Sequence, residues 1–239
     1  MLFTRFAVLA AAAALATPAI AGPITVSAAN VGQSYTIGYD GYTQGTGVIG
    51  GLSGQGTFTL TGVGTNSYTF SYSLANTSSN PITNSRISGF GFNTDPNMTS
   101  ASSTGIFDSA ASGNVPSGFG SVEVCFKGGG GSSNCAGGGG AGVNIGDTGT
   151  GTLTLNFSEL PDQLTLSDFF VRYQSIEGAG GTTSAIGRGT PSSTSSTSTS
   201  TSSGASTSTG GTEVPAPGAL WLFAAGLAGI GLRFGRRRR

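Results

Sequence analysis

Between Gly22 and Gly189 the sequence offers nine carboxylates, four cations, two cysteines and no histidine. Without imidazole there is no Ser-His-Asp or Cys-His nucleophile, no histidine general base and no imidazole-built zinc site. Acid–base work then falls to carboxylates, and a glycosidase needs two of them facing each other across a cleft. Glu159, Asp162 and Asp168 cluster in sequence, whereas Asp40, Asp95 and Asp108 are scattered through turn-forming stretches, where Asp commonly holds a turn. Asn93-Thr94-Asp95-Pro96-Asn97 is rich enough in oxygen to hold Ca²⁺, but it has neither EF-hand spacing nor a Gly-Gly-x-Gly-x-Asp repeat. The glycine runs 128–131 and 137–140 lack the Lys-Ser/Thr of a phosphate-binding loop and the strand–helix setting of a dinucleotide fingerprint, so they read as loops. No catalytic residue, resident metal or cofactor is expected. Cys125 and Cys135, with nine residues between them, read as one disulfide stapling a glycine-rich loop. Tyr35, Tyr39, Tyr42 and Phe119 are the aromatics that could stack on sugar rings. Tyr35 and Tyr39 share an alternating face with Ile37, which assigns those two to the core.

The elements that must carry these residues have an apolar period of two. Ile24, Val26 and Ala28 alternate, as do Tyr35, Ile37 and Tyr39. Phe58 and Leu60 precede Tyr68, Phe70, Tyr72 and Leu74, with a Gly/Asn turn between. Further runs are Ile87 with Phe90 and Phe92, then Val122, Val124 and Phe126, then Leu153, Leu155 and Phe157. The last begins at Leu164 and Leu166 and shifts parity to Phe169, Val171 and Tyr173. An extra residue near Asp168 would produce that shift, since one inserted residue flips all later side chains to the other face. The result is about eight strands with one apolar face and one Ser/Thr face. The expected fold is all-β, a single antiparallel β-sandwich of jelly-roll type over residues 22–189. The one helical signal in that range is a short turn at 158–162.

Charged residues are 8% of the chain, and the ten acids and ten bases cancel. That balance argues against a nucleic-acid partner. The zero is an average over segments. Residues 22–189 sum to 4 − 9 = −5, while the bases lie disproportionately at the two ends. Residues 1–21 read as a signal peptide: Arg5, an apolar run over 6–15, then Ala19 and Ala21 as the small residues ahead of the cut. Residues 190–212 hold 18 Ser or Thr among 23 and no charge, which reads as a disordered linker. In 213–239, an apolar segment over 216–232 reads as a transmembrane helix ~25 Å long. Arg233, Arg236, Arg237, Arg238 and Arg239 then act as the topology signal that stays cytoplasmic.

Val214-Pro215-Ala216-Pro217, an apolar helix and an Arg cluster together resemble the PEP-CTERM sorting signal of exosortase-processed bacterial proteins. The central acid of Pro-Glu-Pro is absent here, with Glu213 close by. Residues 24–26 and 29–34, residues 86–95, the Cys125/Cys135 loop and residues 166–174 are in turn similar to the cistern family of such proteins. That family brings no catalytic residues. The resemblance implies a Gram-negative envelope protein, held by its helix in the inner membrane with the body outside. Signal peptidase and an exosortase would be its processing partners, the exosortase acting near 214–217. The mature form is then expected at the cell surface or outside, non-enzymatic and associated with exopolysaccharide or biofilm. A carbohydrate-binding module and a secreted carboxylate-dependent hydrolase are the alternatives.

Overall fold

A computed structural model of the chain describes residues 22–116, 118–129 and 134–192. The signal peptide with Ala19 and Ala21, most of the linker, and the sorting segment with Val214 to Pro217 and its arginines lie outside the described residues. The described part is all-β and antiparallel, and the eight strands expected become fourteen. They are β1 (Ile24–Val26), β2 (Ser34–Tyr39), β3 (Tyr42–Thr43), β4 (Gly47–Val48), β5 (Gly54–Val63), β6 (Ser67–Asn76) and β7 (Asn84–Asp95). There follow β8 (Ser100–Ser103), β9 (Ser109–Val115), β10 (Gly120–Lys127), β11 (Val143–Asn144), β12 (Thr148–Asn156), β13 (Leu164–Glu177) and β14 (Ser184–Pro191). Residues 158–162 form bends rather than a helix; the helical turn is 3-10, at Ala28–Asn30.

The main hydrogen-bonded path runs β8-β12-β6-β5-β2-β14-β13-β7-β10-β9. It folds on itself at β14, whose Ser184–Arg188 half pairs with β13 and whose Gly189–Pro191 half pairs with β2. Thr190 and Pro191, read from the sequence as linker, are therefore strand residues. Two glycines let the chain turn this corner. A Cβ on Gly187 would meet the Asp40 carbonyl and Val171, and one on Gly189 would meet Phe169 and Tyr39. The two ends of the path, β8 and β9, are neighbours in sequence joined by residues 104–108. The whole is a sandwich-like, nearly closed antiparallel sheet around one interior.

The inward residues of the period-two runs fill that interior. Phe58, Tyr72, Phe90, Phe92, Phe107, Phe126 and Phe169 form one web of rings, with centroid separations from 5.0 to 6.4 Å in the pairs that join them. Tyr35 and Tyr39 belong to this core, as their shared face requires. Asn76 is among the buried polar residues. Its side-chain amide donates to the Ser85 and Val143 carbonyls and to Ser85 Oγ, tying β6 to β7 and β11.

The parity break in β13 is a bulge. Ser167 pairs with Asn93 and Phe170 with Gly91, so two residues of β13 face one of β7. Asp168 takes φ 50° there. After it Val171 and Tyr173 point into the core while Phe170 joins a second apolar cluster, with Ile186, Val115, Val122 and the bonded Cys125–Cys135 pair. Phe170 lies across β7 at Gly91, where any Cβ would strike its ring.

Two outcomes follow. Phe90→Ala, at the centre of the ring web, should lose about 3–5 kcal/mol of unfolding free energy in a urea titration. Reducing the Cys125–Cys135 bond, which closes a short loop, should cost about 2–3 kcal/mol by the same measurement.

Candidate functional site

The bulge and the corner together build a site on the outer face of the half of the sheet that contains β13. Once β13 has flipped parity, its outward residues are Phe170, Arg172 and Gln174. The outward residues of β14 are Ser184, Ile186 and Arg188. β3 lies against β14, with Tyr42 opposite Ile186. The turn between β9 and β10 brings Phe119 over Phe170, with ring centroids 5.2 Å apart. These pieces enclose a depression of about 490 Å³ lined by Tyr42, Asn93, Gly118, Phe119, Ser121, Asp168, Ile186 and Arg188. Tyr42 and Phe119 are half-buried.

The polar groups are held in place. Arg188 is paired with Asp40, Nη2 to Oδ2 at 2.7 Å and Nε to Oδ2 at 3.2 Å, while its backbone N–H donates to Oδ1 at 2.7 Å. The hydrogen bond that Arg188 donates to Asp40, ahead of the Asp40 charge, holds the Arg188 guanidinium above its ordinary pKa. Its carbon sits 4.1 Å from the centre of the Tyr42 ring. Asn93 Oδ1 accepts from the Glu123 N–H at 2.8 Å, which aims its Nδ2 at Asp168 Oδ2, 2.9 Å away. Ser167 Oγ also donates to that oxygen. Asp168 Oδ1 receives no hydrogen bond among the described residues and is exposed.

Two rings beside a carboxylate, an amide and a guanidinium match the surface of a pyranose. A sugar ring offers C–H groups on its faces and hydroxyls around its edge. Of the four aromatics singled out for stacking, the structure brings Tyr42 and Phe119 together and buries Tyr35 and Tyr39. Of their polar companions, Asn93 stood in the oxygen-rich stretch 93–97 and Asp168 among the clustered acids, each for another chemistry, while Arg188 carried no motif. The parity break at Asp168 was the one local sign of this site.

Two further carboxylates, Glu123 and Asp108, have structural partners. Glu123 accepts from the Thr94 N–H and hydroxyl at 2.9 and 2.5 Å and from the Met98 N–H at 2.7 Å, fixing the chain between β7 and β8. Asp108 accepts from the Gly129 N–H. The oxygen-rich stretch 93–97 is thus built into contacts with Glu123 and Asp168, and no three His, Cys, Asp or Glu gather as metal ligands among the described residues. No protein-family model, no curated protein and no solved structure matches the chain.

The left-handed backbone at Asp168 gives a test of the bulge. Asp168→Asn tolerates that conformation and should leave the unfolding midpoint nearly unchanged. Asp168→Val should lose about 1–2 kcal/mol, because a β-branched side chain clashes there.

Proposed function

We propose that this is a non-enzymatic, exported envelope protein whose β-domain binds carbohydrate and so associates with exopolysaccharide or biofilm matrix. The observation that carries the reading is the depression holding Tyr42 and Phe119 with Asn93, Asp168 and Arg188. It combines ring surface with pre-positioned donors and an open carboxylate oxygen, the mix that orients a polyol. The low charge and the Ser/Thr ladders on the outer strands suit a protein that works among hydrated polymers. The proposal takes the fold as a jelly-roll-type sandwich, supported by its two facing rows of strands.

Export and sorting complete the proposal. The signal peptide over 1–21, the Ser/Thr linker, and the Pro215/Pro217 segment ahead of an apolar stretch and five arginines support transient anchoring in the inner membrane. Pro215 and Pro217 would favour an extended backbone over a helical one, a form a membrane protease can engage.

Two measurements test these halves. On a glycan array the exported protein should bind carbohydrate, and Tyr42→Ala and Phe119→Ala should each weaken binding at least tenfold with little change in unfolding midpoint. Equal binding by the variants sinks the assigned site. Coexpression with a cognate exosortase should shorten the chain to a mass ending near 214–217. A C-terminus retained in every host sinks the sorting reading.

A further inference from the structure

A second depression, of about 740 Å³, lies on the same outer face. Its lining includes Arg86, Arg172, Gln174, Ser184 and the backbone of Ala136 to Gly139, and no carboxylate. The charge placement is unusual for this domain. Four basic residues serve nine acids between 22 and 189, yet three of the four border this one loop. Arg86 Nη2 donates to the Gly139 carbonyl at 3.1 Å and to Gln174 Oε1 at 3.2 Å. Arg172 donates to the Ala136 and Ala185 carbonyls. Lys127 Nζ reaches the Asn134 carbonyl behind them.

Arg86 is the informative one. Its bonded partners are neutral dipoles, and its Nε is buried with no hydrogen bond among the described residues. The buried Nε is closed to a ligand and Nη2 is engaged, but Nη1 has no hydrogen bond among the described residues, and a carboxylate is the natural complement of that remaining edge of the guanidinium.

The two depressions are adjacent. Ser184 borders this one, and Ile186 and Arg188 border the aromatic one, two to four residues further along β14. Arg172 and Asp168 are likewise four residues apart on β13, or ~13 Å at the usual strand rise. A chain of linked sugars laid along this face passes over both. We infer that the ligand is an acidic polysaccharide: a sugar ring seats on Tyr42 and Phe119, and a carboxylate of a nearby uronate meets Arg86. This rests on the carbohydrate reading above and specifies its ligand class. Against a domain of net −5, the local arginines are what would make a polyanion acceptable.

The test compares polygalacturonate with its fully methyl-esterified form, which keeps the backbone and removes the charge, by titrating each into the exported full chain. The expected result is at least tenfold tighter binding of the acid form. Arg86→Gln should bring the ratio close to one while ester binding is kept. Ser184→Glu, which leaves Arg86 and its bonds in place, should do the same. Equal binding of the two polymers to the parent protein overturns the inference and leaves the carbohydrate reading standing. So does an acid preference that survives both variants. Binding of neither polymer, nor of any glycan on the array, removes both. Inorganic sulfate binding at matched ionic strength as tightly as the acid polymer would make this a free-anion site and also overturn the inference.

Discussion

One inserted residue in β13 decides what this protein presents to its surroundings. Before the bulge, Leu164 and Leu166 face inward; after it, Phe169, Val171 and Tyr173 do. Without the flip, Phe170, Arg172 and Gln174 would point into a ring web that has no partners for a guanidinium or an amide. With it, they furnish the outer face, and Asp168 is held out at its edge by Asn93. Both depressions on that face contain residues of β13. The core and the candidate site therefore both depend on this register change.

The second dependence is on β14. Because it hydrogen-bonds to β13 with one half and β2 with the other, it sets how the two rows of strands approach. Its glycines give the close approach, and its Arg188 is bound by Asp40, which follows β2. The ion pair is half-exposed and adds little to stability. Its effect is positional: it keeps the guanidinium over Tyr42.

Much of the fold was legible in the sequence, for a physical reason. Strands with a dry side and a wet side leave an alternating trace, and the runs at 24–28, 35–39, 58–60, 68–74, 87–92, 122–126, 153–157 and 164–173 became strands, except that Ala28 opens the 3-10 turn and Phe157 falls just past β12. The β13 bulge was visible because it broke such a trace. β8, β9 and β14 were not, since Ser-Ala-Ser-Ser, Ser-Ala-Ala-Ser-Gly-Asn-Val and Ser-Ala-Ile-Gly-Arg-Gly-Thr-Pro carry too few large apolar residues to show a period. Of the site, Tyr42 and Phe119 were legible as aromatics outside the core alternation. Asn93 and Asp168 stood out only for other chemistry, and Arg188 not at all, because the three lie on β7, β13 and β14 and meet only across the sheet.

The pairings β1 with β13 and β2 with β14 join the beginning of the domain to its end. That arrangement governs when the domain can exist at all. A ribosome delivers residue 37 long before residue 191, and until Pro191 is free β2 lacks one of its two neighbours. The emerging chain accumulates hairpins such as β5 with β6, but it cannot close around its aromatic interior. Closure waits for the last strand to arrive. A chain that stays open in that interval is still thin enough to be threaded through a pore.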